Sequence, residues 1–158
     1  MLGVGSRPNP VCREEAGVRH MRAWALLVGA LGLHVLDEAL TDFLGFYNPL
    51  VMEIRARIAW FPMPTFAFGT WLTGLIGAVV ALAFLGPAVR RGAAGTRLAS
   101  WALSGVMFAN GLGHLGGSLY FGKWLPGTTS APLLLFASGL LARRTWQRGV
   151  ATRSPARC

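Results

Sequence analysis

Charge is scarce in this sequence. Only 13% of its 158 residues are Asp, Glu, Lys or Arg, and the acids number 6. A chain this poor in charge, 53% hydrophobic and with a mean hydropathy of +0.48, is neither a disordered segment nor an ordinary soluble domain. Cysteine is scarcer still, 2 in all, with no Cys-x-x-Cys pair and no prenylation box. Free thiols at Cys12 and Cys158 are therefore expected, not a disulfide framework. No glycosylation sequon, phosphate-binding loop, zincin helix or serine nucleophile elbow occurs. No run alternates apolar and polar residues with period two, which excludes a membrane β-barrel.

Against those absences stand four apolar runs, at residues 23–46, 64–85, 98–122 and 128–142. A bilayer crossing takes about 20 such residues, and a lipid-facing backbone must satisfy its own hydrogen bonds, so the runs are expected to be helices. The fourth is short and needs Arg143 and Arg144 to snorkel, or residues 125–127 to extend it. The expected fold class is all-α: a polytopic membrane protein, a four-transmembrane-helix bundle. Residues 1–22 read as a polar N-terminal tail, 23–142 as the membrane domain and 143–158 as a basic tail. Met21, followed by Arg22 and the first apolar run, is an alternative start; His34, Asp37 and Glu38 within that run argue against a cleaved signal peptide.

With four spans, both termini and the middle loop share one side. That side carries Arg7, Arg13, Arg19, Arg22, Arg90, Arg91, Arg97, Arg143, Arg144, Arg148, Arg153 and Arg157, whereas the other has only Arg55, Arg57 and Lys123. By the positive-inside rule both termini are cytoplasmic, in the inner membrane. The net charge of +9 is then a topology signal that also meets anionic lipid, and with no aromatic interleaving beside it no nucleic-acid partner is expected. Trp24, Trp101 and Trp146 fall near the cytoplasmic ends and Trp60 and Trp124 near the outer ends, as an aromatic belt requires, while Trp71 lies deeper. In the first outer loop, Val51, Ile54 and Ile58 share one helical face and Glu53 and Arg57 are i,i+4. A short interfacial helix over residues 50–61, bounded by Pro49 and Pro62, is expected there, as a surface anchor or a lid.

The polar residues inside the spans carry the chemistry. His34, Asp37, Glu38 and Thr41 form one stripe of the first helix, with Asp42 beside it. Asn110 and His114 share a face of the third, with Ser118 a turn beyond. At about 1.5 Å per residue from the cytoplasmic ends, His34 lies about 16 Å deep and Asn110 about 18 Å; Glu38 lies about 22 Å deep and His114 about 24 Å. The two stripes are level, and in lipid each must face protein or water. No Arg or Lys lies within any span to neutralise the three acids. A protonated His34 or His114, a metal ion, a substrate cation or protonation of the acids themselves must do so. A di-iron carboxylate site is excluded within one chain, because the second, third and fourth spans hold no acid. A mononuclear set of His34, Glu38 and His114 fits a two-His-one-carboxylate pattern, and acid/base work needs only one His and one carboxylate. The Gly-x-Gly-x-x-Gly at residues 111–116 follows no strand and reads as helix packing through Gly113, Gly116 and Gly117.

On these residues the chain resembles the HXXEE family of small bacterial integral membrane proteins. His34-Val-Leu-Asp37-Glu38 stands where that family has His-x-x-Glu-Glu, and Asn110 to His114, Ser118, Pro126-Gly127 and Ala131-Pro132 follow its later pattern, over about residues 24–142. Asp37 is one methylene shorter than the family's first Glu. The resemblance implies a four-helix membrane architecture and brings no activity with it.

The leading expectation is a membrane-embedded acid/base enzyme, isomerase- or cyclase-like, acting on a lipid-like or isoprenoid substrate. His34 and Glu38 would be the acid/base pair, Asp37 would orient or stabilise positive charge, and Asn110 and His114 would position substrate or shuttle the proton. The alternatives are a mononuclear metalloenzyme using His34, Glu38 and His114, a small proton-coupled carrier, for which a dimer could supply further spans, and a membrane scaffold. The sequence names no cofactor; the expected partners are membrane lipid and a lipid-like small molecule.

Overall fold

The structure, a computed structural model, describes residues 10–151. The Cys12 side chain, Cys158 and the last residues of the basic tail lie outside the described residues, so the thiol expectation falls there. Among the described residues all regular structure is helical: α1 Pro10–Leu40, α2 Phe43–Arg57, α3 Phe68–Phe84, α4 Gly86–Arg91, α5 Thr96–Phe121 and α6 Ala131–Ala151. Two stretches, Glu14–Leu40 and Phe68–Arg91, are long and apolar enough to cross a membrane. The other two expected spans fall short of that measure, since α5 carries Ser, Asn and His among its glycines and α6 runs on into Arg143 and Arg144.

The expected boundaries shift, each for a local reason. Residues 10–22 are not a polar tail but the first turns of α1, because that segment packs against α4: a Cβ on Gly17 would stand 2.5 Å from the Arg90 carbonyl oxygen. The first run does not continue to residue 46. It stops at Leu40, where Asp42 takes a left-handed conformation (φ 56°) and its carboxylate accepts from the Gly45 amide, capping α2. The outer-loop helix accordingly starts at Phe43, and Pro49 lies inside it rather than at its boundary. Val51 is buried, Ile58 exposed, and Glu53 and Arg57 pair at 2.7 Å. The second run yields α3 only from Phe68, since residues 64–66 are tied laterally to α2: the Asn48 side chain donates to the Phe66 carbonyl at 3.0 Å and accepts from its amide at 3.1 Å. The last helix starts at Ala131 and carries the expected tail onward as helix to Ala151.

α1 is the central element. It packs against α6 on one side and α3 and α4 on the other, and α5 lies beyond α6. Trp24, Leu27 and Leu31 of α1 meet Leu134, Ala137 and Leu141 of α6 in the core, with Leu72, Leu75 and Val79 of α3 packed against it. Trp24 is thus a core residue and not part of a surface belt: it is 1% exposed, and its indole donates to the Leu82 carbonyl at 2.8 Å. Trp60, Trp101, Trp124 and Trp146 are exposed. Of the glycines expected to permit close packing of α5, Gly117 does so, joined by Gly111, which was not among them. A Cβ on Gly111 would lie 2.9 Å from Leu135 and one on Gly117 3.0 Å from Leu125, whereas Gly113 and Gly116 face open space.

Near the expected cytoplasmic end a buried polar knot joins four helices. Arg148 donates to His20 Nδ1 at 2.9 Å and to the Val89 and Arg90 carbonyls at 2.6 and 3.0 Å. Guanidinium only donates, so the His20 proton sits on Nε2, which faces the Ser100 and Thr145 hydroxyl oxygens at 3.0 and 3.2 Å. Both hydroxyls donate to their own helix carbonyls, leaving their oxygens free to accept. Every member is satisfied, which makes burial of so polar a cluster affordable.

Candidate functional site

The site forms where α1, α5 and the loop before α6 converge. Helical periodicity sets His34 and Glu38 on one face of α1 and Asn110 and His114 on one face of α5. The backbones of α1 and α5 are held apart by α6, which packs against both; His20 and Ser100 reach across near the far end, and α6 begins only at Ala131. Beyond that start the side chains of α1 and α5 meet. The His34 and His114 rings stand edge to face with centroids 4.7 Å apart. The pairs expected at matched depth are in contact: Asn110 Nδ2 lies 3.1 Å from His34 Nε2, and His114 Nε2 lies 3.1 Å from Glu38 Oε1. His34, Glu38 and His114 are all buried, at 1%, 6% and 9% exposure.

The loop across the top decides how the imidazoles are held. Pro126-Gly127 turns the chain over the two rings. Gly127 has φ +82°, and a Cβ there would lie 2.7 Å from His114 Cε1 and 3.1 Å from Glu38 Cγ. Only glycine meets both demands. The preceding Pro126 carbonyl lies 2.7 Å from His114 Nδ1; a carbonyl only accepts, so Nδ1 carries the proton. Ser130, just before α6, gives both its amide and its hydroxyl to Asp37 Oδ2, at 2.9 and 2.7 Å. Its oxygen then accepts from His34 Nδ1 at 2.8 Å.

Hydrogen-bond logic therefore leaves the Nε2 lone pair of each histidine turned inward. Glu38 Oε1 faces both, at 3.6 Å from His34 Nε2 and 3.1 Å from His114 Nε2. A carboxylate oxygen opposite an imidazole lone pair at 3.1 Å is repulsive unless a cation or a proton stands between them. The His114–Glu38 contact accordingly holds one proton, on the imidazole or on the carboxyl, or else a metal ion. Ligand atoms of His34, Glu38 and His114 lie within 4.8 Å of one another, close enough to bind one ion. Histidines whose Nδ1–H is anchored by a carbonyl or a hydroxyl–carboxylate pair are also the usual metal-binding arrangement.

All five expected site residues come together, but Asp37 reaches the others only through Ser130. Thr41, Asp42 and Ser118 do not join: Thr41 donates to the Asp37 carbonyl, Asp42 caps α2, and Ser118 bonds Thr128 and the Leu125 amide in the loop. Beside the site a cavity of about 500 Å³ runs between α3 and α5, with α1 as its floor. His34, Glu38 and Asn110 form its polar end, Leu31, Val35, Leu75, Val106 and Met107 its apolar length, and Phe43, Tyr47, Phe66 and Trp71 its aromatic rim. Phe43 stacks on Trp71 and Tyr47 and touches His114, which puts the start of α2 at the mouth of the cavity. Sequence reasoning missed Ser130 and this aromatic rim; the Pro-Gly dipeptide was the visible signal that the chain turns there.

No curated protein and no solved structure matches the chain. The family model described as "Protein of unknown function with HXXEE motif" matches residues 24–142, which include the whole of the convergent centre. The chain belongs to the HXXEE family.

Proposed function

We propose that this protein is a four-span enzyme of the cytoplasmic membrane, both termini cytoplasmic, that moves a proton within a lipid-like or isoprenoid substrate. The observation that carries the reading is the 3.1 Å contact between His114 Nε2 and Glu38 Oε1, which a shared proton satisfies because His114 Nδ1–H is committed to Pro126. Membrane residence is supported by α3, whose Ile76, Val80 and Phe84 are exposed on a helix with no charged residue, and by the arginine distribution. α5 and α6 complete the four spans by burying their polar residues against one another and α1.

The reaction class follows from the proton positions. The Glu38–His114 pair gives its proton to one carbon of a substrate double bond, and the cation forms on the neighbouring carbon. The next C–H loses its proton to His34 Nε2 once substrate displaces Asn110, and the double bond has moved. Asp37, through Ser130, stabilises the resulting His34 imidazolium, and the proton returns across 3.6 Å to Glu38. Buried carboxylates and imidazoles with opposed preferences are suited to such transfer. The apolar length of the cavity suits a hydrocarbon chain entering from the bilayer between α3 and α5. Comparing the membrane-lipid profile of cells carrying the wild type, Glu38→Gln and His34→Ala tests this. Loss of the same lipid product in both variants supports it; an unchanged profile with folded protein in the membrane overturns it.

A second reading, a mononuclear metal centre, is favoured by the three ligand atoms within 4.8 Å. Elemental analysis of the purified protein separates the two. One metal per chain that disappears in His114→Ala favours the metal centre, and metal content indifferent to that change removes it.

A further inference from the structure

A groove unused by the site lies at the opposite, basic end. It measures about 540 Å³ and opens between the middle of α1, from Met21 to Val28, and the α3–α4 junction. Its floor is apolar: Ala25, Val28 and Ala83, with buried Trp24 beneath, whose indole N–H is already committed to the Leu82 carbonyl. The helix axis breaks at Leu85–Gly86, and a Cβ on Gly86 would meet nothing within 4 Å, so the groove is open along the break. Arg90 and Arg91 stand at its rim. Arg90 has only a loose contact with exposed Glu14, at 3.7 Å, and Arg91 makes no ion pair or side-chain hydrogen bond among the described residues.

We propose that this groove binds one anionic glycerophospholipid, its phosphate between Arg90 and Arg91 and one acyl chain along Ala25, Val28 and Ala83. The charge is complementary, and the order of the groove is that of the lipid, a cationic rim leading to an apolar trough. In the four-span topology the rim lies at the cytoplasmic headgroup level, where anionic lipid attracts each nearby arginine. The inference rests on the membrane reading but not on any chemistry at Glu38.

Native mass spectrometry of the full chain, offered equal phosphatidylglycerol and phosphatidylcholine in detergent, tests it. Wild type should retain phosphatidylglycerol preferentially, and excess inorganic phosphate should not displace it. Arg91→Gln should weaken that retention about fivefold and the Arg90→Gln/Arg91→Gln pair about thirtyfold, from the attraction of one and two arginines. Ala25→Phe fills the trough and keeps both arginines; it should abolish retention as well, which separates a seated lipid from a diffuse charge effect. Equal retention of both lipids, or undiminished selectivity in the double variant or in Ala25→Phe, overturns the proposal. A wild-type chain that fails to fractionate with membranes overturns the membrane reading instead.

Discussion

At the scale of single residues, the centre is decided by which nitrogen carries a proton. Pro126 and Ser130 commit the Nδ1 protons of His114 and His34, and Glu38 receives what is left. Gly127→Ala should break this arrangement without touching a polar atom. The left-handed backbone alone costs about 1–2 kcal/mol with a Cβ, and that Cβ collides with the His114 ring. A lower melting temperature together with lost lipid product is expected; normal activity at normal stability would contradict the packing. Ser130→Ala separates Asp37 from His34 while sparing the Glu38–His114 contact. It should cost about 1–3 kcal/mol in chemical denaturation, because a carboxylate loses a donor and His34 Nδ1 an acceptor. The histidines, Glu38 and Asn110 were legible in the sequence because i,i+4 spacing and depth counted along straight helices need no knowledge of loops. Ser130 was not, since its partner Asp37 lies 93 residues away and only the loop's path joins them.

Among elements, the turn between α1 and α2 shows how a short polar residue redirects an apolar run. Hydropathy is continuous through residues 23–46, so the run reads as one span, yet Asp42 caps the next helix and swings Phe43 and Tyr47 over the cavity. Asp42→Ala should destabilise this junction by about 0.5–2 kcal/mol, and Asp42→Gly by only a few tenths, since glycine accepts the positive φ that alanine resists. Thermal unfolding in detergent checks the order of the two; equal losses would contradict the cap. The extension of α1 back to Pro10 was hidden for the opposite reason. Its polar residues read as a tail until His20 is seen buried against Ser100, Thr145 and Arg148, contributed by helices far along the chain.

For the whole molecule, counting apolar runs correctly forecast an all-helical chain but not the order of its helices. The run count is silent on α6 packing against both α1 and α5, and the centre forms where α6 has not yet begun. Topology remains the broadest proposal and has a direct test. A fluorescent reporter that matures only in the cytoplasm should light up when fused after residue 158 and stay dark when fused after Lys123. The same result from both fusions would contradict four spans.

Both imidazoles commit their Nδ1 protons to the loop before α6 and aim Nε2 at one buried carboxyl group, and the site's chemistry depends on this. Histidine-selective 15N NMR of the detergent-solubilised protein reads this directly, and its three histidines include a control. Protons are predicted on Nδ1 of His34 and His114 but on Nε2 of His20, with the His114 Nε2 resonance alone shifting strongly in Glu38→Gln. A His114 proton confined to Nε2 with Nδ1 bare, or a resonance indifferent to Glu38→Gln, would contradict it.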